Sequence, residues 1–230
     1  MYKGNILYKK TKSSALDQEK PLIQIALDLL DFHKTVALAK EVAPYADILE
    51  IGTPCIKSNG LGMVSELRER FPDKVILADL KTMDAGEYES TPFYAAGADI
   101  CTVLGASDPA TIEGVVKAAK AHGAEAQVDL INVADKTVCA KISAALGVSI
   151  IGIHTALDAQ AIGQTPFSDL RKIISLGLDM HVSVAGGIKP ATIRRVAMAG
   201  ADIIVVGASV HGAPRPTEVA REIWELVSDV

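Results

Sequence analysis

Three features of the sequence predict an α/β fold closed into one TIM-type (β/α)₈ barrel. First, eight short apolar or β-branched runs recur along the chain, each followed by a helical stretch, as successive strand–helix units require. Second, these runs stay apolar on both faces until their C-terminal ends, the pattern of a buried parallel sheet. Third, polar residues end several different runs, at Asp28, Glu50, Lys81, Asp129 and His154. A barrel gathers its chemistry from many strand ends, whereas an open doubly wound sheet concentrates it at one switch point. The glycine fingerprint for a dinucleotide is also missing after the first run.

The runs follow in order. Leu22–Asp28 closes on an aspartate, and Asp47–Gly52 carries Glu50 just before its final glycine. Val75–Lys81 is the third run and Ile100–Gly105 the fourth. Ala96-Gly97-Ala98-Asp99 precedes the fourth, with a glycine placed to end a helix in the left-handed region. Asp108-Pro109 then starts the next helix, because the missing proline N–H costs nothing in a first turn. Ala124–Ile131 and Ser149–His154 are the fifth and sixth runs. His181–Gly186 is followed by a second proline start at Lys189-Pro190, and Asp202–Gly207 by contrast follows a second Ala-Gly-Ala-Asp, at Ala199–Asp202. No linker or composition shift divides residues 21–230. Residues 1–20 are polar and basic and lack the apolar segment of a secretory signal. They read as an N-terminal extension, and a cytoplasmic location is the expectation.

Bulk properties narrow the function classes. The chain has 230 residues, with 49% hydrophobic and 22% charged, which suits a globular core and not a disordered chain. A net charge of −5 gives no electrostatic reason to expect nucleic acid or an anionic membrane as a partner. No apolar run is long enough to span a bilayer. A phosphorylated substrate would therefore need local positive potential. Cys55, Cys101 and Cys139 are odd in number and widely spaced, so buried free thiols are expected in place of disulfides or a zinc knuckle.

The sharpest chemical feature is Asp79-Leu80-Lys81-Thr82-Met83-Asp84. On a strand, Asp79 and Lys81 point the same way as Val75 and Leu77, while Ile76, Ala78 and Leu80 face the helices. Asp84 lies just beyond, in a loop. A structural ion pair is the alternative, but burying such charges is costly and usually serves a function. Asp28, Glu50, Asp129 and His154 converge on the same barrel mouth. Carboxylates from neighbouring strands suit Mg²⁺, which takes hard oxygen ligands and keeps several waters, so Glu50 and Asp79 are its candidate ligands. Mn²⁺ would take the same oxygens. Zinc is disfavoured, since His154 has no partner at ligand spacing. His33, His122, His181 and His211 read as ordinary structural residues. Gly186-Gly187 after the seventh run and Gly207-Ala208 after the eighth mark the usual phosphate site of a barrel, where main-chain N–H groups approach the anion unobstructed.

The spacing Asp79-x-Lys81-x-x-Asp84 resembles the signature of the orotidine 5′-monophosphate decarboxylase suprafamily. Its sugar-phosphate branch holds hexulose-phosphate synthases and keto-gulonate-phosphate decarboxylases. The resemblance runs through Ala26–Leu30, Ile48–Pro54, Ala78–Gly86, Thr102–Gly105, Val128–Ile131, His154–Gly163 and Val184–Ile188. Two positions separate the branches. The decarboxylases carry glutamate where this chain has Asp129, and arginine where it has Leu157. Both differences are similar to the synthase pattern. The resemblance implies a Mg²⁺-dependent aldol condensation of D-ribulose 5-phosphate with formaldehyde to D-arabino-3-hexulose 6-phosphate, the fixation step of the ribulose monophosphate pathway. It also implies a homodimer in which the Asp84 loop reaches the partner's active site.

These residues permit a mechanism. The glycine loops anchor phosphate, Glu50 and Asp79 hold the metal, and His154 removes a proton from C1, since imidazole titrates near neutrality. Lys81 and Mg²⁺ stabilise the enediolate. Asp28 and Asp129 orient substrate hydroxyls, and Asp84 keeps Lys81 charged. A Schiff base at Lys81 is disfavoured because neighbouring carboxylates keep the amine protonated. The competing functions are the keto-gulonate-phosphate decarboxylase, a sugar-phosphate epimerase, which would want paired histidines, and a non-enzymatic sugar-phosphate binder.

Overall fold

The computed structural model describes residues 20–230, so all but the last residue of the 1–20 extension lies outside the described residues. Eight parallel strands close in sequence order: β1 Leu22–Leu27, β2 Ile48–Ile51, β3 Val75–Thr82, β4 Ile100–Leu104, β5 Glu125–Asp129, β6 Ile150–His154, β7 His181–Ala185 and β8 Ile203–Val206. β8 pairs back onto β1, which removes both sheet edges and makes a single (β/α)₈ barrel. The outer helices are α1 Phe32–Val42, α2 Thr53–Asn59, α3 Leu61–Arg70, α4 Gly86–Ala95, α5 Pro109–Ala121, α6 Lys136–Ala145, α7 Leu157–Ala161, α8 Phe167–Ile174, α9 Pro190–Met198, α10 Ala208–His211 and α11 Pro216–Ser228. No helix among the described residues is long and apolar enough to cross a membrane.

Local signals set the helix ends. Asp108 caps α5 by accepting from Ala110 N at 2.9 Å, with Pro109 in the first position. Asp31 and Asp135 cap α1 and α6 in the same way, which satisfies N–H groups that have no partner inside the helix. Gly97 and Gly200, at φ +108° and +90°, end α4 and α9 as the repeated Ala-Gly-Ala-Asp requires.

Alternation along the strands builds two apolar layers. Ile48, Val75, Leu77, Ile100, Ile150 and Ile203 fill the lower barrel interior. Ile76, Ala78, Cys101 and Val103 face outward into the larger shell beneath the helices. Cys55, Cys101 and Cys139 are free and buried.

A repeat unseen in the sequence reading closes the bottom. Ala-Asp-Ile precedes or opens β2, β4 and β8, at Asp47, Asp99 and Asp202. Each aspartate grips one residue of the preceding strand twice. Its N–H donates to the carbonyl of Ile23, Ile76 or Val182. Its carboxylate accepts the N–H of that same residue at 2.9, 2.9 and 2.8 Å. At β6 the pattern changes, and the Ser149 hydroxyl donates to Glu125. The latches pair strand-end N–H groups that would otherwise be left without a partner, each bond contributing about 1 kcal/mol.

One strand departs from simple alternation. Ala78 pairs with Cys101 and Thr82 with Val103, so four steps of β3 oppose two of β4. Lys81 adopts φ +50°, a left-handed conformation rare outside glycine. The irregularity falls at the barrel mouth, where bulges re-aim side chains.

Candidate active site

The C-terminal mouth collects the polar strand ends into one small cavity of about 30 Å³, lined among others by Gln24, Glu50, Asp79, Lys81, Asp129 and His154. Lys81 is its hub. Its Nζ donates to Asp129 Oδ2 at 2.7 Å and to Asp79 Oδ1 at 3.1 Å. Burial disfavours the ammonium, but the charges of Asp79 and Asp129 outweigh that cost and push its pKa above the ordinary lysine value. The sequence reading put Asp84 in this role. In the chain Asp84 is exposed and its carboxylate accepts from Ala85 N at 2.7 Å. Within one chain the charges beside Lys81 are those of Asp79, on the same strand, and Asp129, on β5.

Asp129 is almost fully enclosed, and both its oxygens are engaged. Oδ1 accepts from Ile131 N at 2.8 Å. Oδ2 meets Lys81 and His154 Nδ1, the latter at 3.0 Å. Burial pushes this carboxyl up, but the hydrogen bond from His154 and the Lys81 charge prevail, and its pKa falls to about 2. An ionised Asp129 can only accept, so Nδ1 of His154 donates in this contact and Nε2 is left to face the cavity. Asp129 was expected to orient substrate hydroxyls. In the chain it also joins Lys81 to His154.

Asp79 is fixed from both sides. Thr53 Oγ1 donates to Asp79 Oδ2 at 2.6 Å, and Thr102 Oγ1 donates to Oδ1 at 2.8 Å. Glu50 is held by Gln24 Nε2 at 2.7 Å. Burial and the charge of Asp79 push the Glu50 carboxyl up to about 8. Gln24 Oε1 and Gln127 Oε1 are buried without a protein partner. Among the described residues no three His, Cys, Asp or Glu side chains form a metal cage. Two repelling carboxylates with unpaired oxygens nearby fit a hard cation that retains waters, as Mg²⁺ does.

Asp28 stands at the rim under the phosphate loops. A Cβ at Gly52 would lie 1.8 Å from Asp28 Oδ1, so only glycine admits the carboxylate there. His211 Nε2 approaches Asp28 Oδ2 at 3.4 Å, a contact missed by reading His211 as merely structural. Gly186 and Gly187 take φ of +104° and +70°. A side chain at Gly186 would meet Thr155 O at 2.4 Å. Ser209 Oγ donates to Ile188 O at 3.1 Å and ties the β8 loop, with Gly207 and Ala208, to the β7 loop.

Thr53, Thr102 and Gln24 were also missed. The last two break the apolar pattern at inward-facing positions of β1 and β4. That inward register is the signal that could have found them.

Known proteins are similar to this chain over most of its length. The profile of the orotidine 5′-phosphate decarboxylase / HUMPS family matches residues 21–223. A curated 3-hexulose-6-phosphate synthase of Methylomonas aminofaciens is 60% identical over 205 residues, covering 89% of this chain and 98% of that protein. The crystal structure of 3-hexulose-6-phosphate synthase from Salmonella typhimurium superposes with a TM-score of 0.88 at 34% identity, covering 90% of this chain and 99% of the other. The 3-keto-L-gulonate-6-phosphate decarboxylase of Vibrio cholerae gives a TM-score of 0.80 at 32% identity, covering 91% and 98%.

Proposed function

The chain belongs to the orotidine 5′-phosphate decarboxylase / HUMPS family, and from that premise we infer that it condenses D-ribulose 5-phosphate with formaldehyde to D-arabino-3-hexulose 6-phosphate. The observation that supports this reading is the connected Lys81–Asp129–His154 set, in which an ammonium and an imidazole meet on one buried carboxylate. Curated relatives of high identity act as synthases, and the exposed Leu157 stands where the decarboxylases that the sequence resembles carry arginine.

The sugar phosphate enters with its phosphate on the Gly186–Gly187 and Gly207–Ala208 loops, where backbone N–H groups can approach the anion. Asp28, steadied by His211, orients a substrate hydroxyl. His154 Nε2 takes the proton from C1, because its Nδ1 is already committed to Asp129. The electrons of the broken C–H bond spread over C1, C2 and the carbonyl oxygen as a 1,2-enediolate. The Lys81 ammonium faces that charge from a partly buried site, where fixed charges act more strongly than in bulk water. C1 then attacks the formaldehyde carbon. The new alkoxide recovers the proton from the His154 imidazolium, and the former C2 carbonyl becomes C3 of the product. No electron acceptor is needed.

Glu50 and Asp79 would hold Mg²⁺, or Mn²⁺ in its place. Such a cation supplies Lewis acidity toward substrate oxygens and cancels the repulsion between its two ligands. A homodimer completes the reading, with Asp84 serving the neighbouring site. Asp84 is exposed and flanked by the exposed apolar side chains of Met83 and Tyr88, and Leu30 and Leu61 are exposed as well, which supports a covered face there. A cytoplasmic place in formaldehyde fixation belongs to the same proposal.

Deuterium uptake tests the role of His154. In D₂O with Mg²⁺ and no formaldehyde, the wild type should exchange the C1 hydrogen of ribulose 5-phosphate, and His154→Gln should lose about 100-fold in exchange rate. Unchanged exchange in the variant would assign the base elsewhere.

A further inference from the structure

We propose that Thr102 is a positioning residue, whose hydroxyl sets where the Lys81 ammonium stands by holding the Lys81 backbone in its left-handed conformation. Between the pairs Ala78–Cys101 and Thr82–Val103, β3 carries Asp79, Leu80 and Lys81 while β4 carries Thr102 alone. The regular ladder has no carbonyl for the Lys81 N–H at this point. Thr102 Oγ1 accepts that N–H at 2.9 Å. The same hydroxyl donates its proton to Asp79 Oδ1 at 2.8 Å. One buried oxygen, on a residue 2% exposed, therefore sets both the backbone of Lys81 and the carboxylate that Lys81 pairs with.

The strain makes this bond consequential. A non-glycine residue at φ +50° sits in a sparsely populated region that persists only where its surroundings over-determine it. Removing the hydroxyl strands a part-buried N–H and leaves Asp79 one donor short. Both losses favour relaxation of residues 79–81 toward an extended strand. Regular strand geometry would swing the lysine stem, and Nζ would leave the position between Asp79 and Asp129. Displacements of about 1 Å can cost about 100-fold in rate.

The proposal rests on the reading that Lys81 meets the developing charge, so the experiment separates the two. Kinetics are measured per folded site for Thr102→Ser, Thr102→Ala and Lys81→Ala, together with thermal melting. Thr102→Ser keeps the hydroxyl and should stay within about threefold of wild-type kcat, while Thr102→Ala falls about 30- to 100-fold in kcat with KM nearly unchanged. Should Thr102→Ala fail to fold, Thr102→Cys keeps the size with a weak donor, and its kcat should lie well below that of the serine variant. Equal kcat in the serine and alanine variants, or in the serine and cysteine variants, overturns the proposal. A lower melting temperature with unchanged kcat also overturns it, because the role is then structural. Full activity in Lys81→Ala would instead sink the reading on which it depends.

Discussion

Glu50 binds a proton in the folded chain that the unfolded chain releases. Its pKa is pushed by burial and Asp79 from an ordinary 4.5 up to about 8. Between those values the native state holds more protons than the unfolded one, so stability from this group is present at low pH and is lost as pH rises from about 4.5 to 8. The metal-free protein should therefore lose up to about 1.4 kcal/mol per pH unit across that window. Glu50→Gln should remove the slope, so the variant melts higher than wild type at pH 8 while losing activity. Mg²⁺ should restore wild-type stability most at the alkaline end. Melting curves with EDTA and with Mg²⁺ check this, and identical slopes in wild type and variant would remove Glu50 from the account. Asp129 has the opposite sign: with a pKa of about 2, it stabilises the fold above its ordinary range and stops doing so as pH falls toward 2. At this scale the sequence exposes charged strand ends readily, because a carboxylate or ammonium in an apolar run stands out. It does not say which of them meet. Asp84 is three residues from Lys81 yet turns to Ala85 N, while Asp129 arrives from another strand.

Strands are legible because a buried parallel strand must be apolar and must stop where the barrel opens. All eight runs coincide with β1–β8 to within about two residues, the usual play at element ends. The bulge in β3 is illegible for a matching reason. Alternation assumes constant register, whereas Lys81 owes its place to a left-handed φ and a threonine on β4. The aspartate latches at the opposite end are visible only as a repeated Ala-Asp-Ile. Truncating Asp47 or Asp202 to alanine should cost about 1–3 kcal/mol by leaving strand-end N–H groups of β1 or β7 unpaired, with KM for the sugar phosphate unchanged. Denaturant unfolding beside steady-state kinetics measures both. A change in KM would mean that the two faces of the barrel are coupled.

For the whole molecule, stability and chemistry occupy opposite ends of one closed sheet, the division typical of barrels. Latches, helix caps and the isoleucine-rich lower interior hold the cylinder. The mouth concentrates buried charge that the fold would not otherwise tolerate, and a net charge of −5 leaves recognition of an anionic substrate to local groups. The central claim is that this mouth joins formaldehyde to ribulose 5-phosphate. The most direct measurement is formaldehyde consumption by the purified protein with ribulose 5-phosphate, first with Mg²⁺ and then with EDTA. Loss of formaldehyde that needs both sugar phosphate and metal, and that disappears in Glu50→Gln, is the predicted result. No loss under either condition, with CO₂ released from 3-keto-L-gulonate 6-phosphate instead, would contradict it.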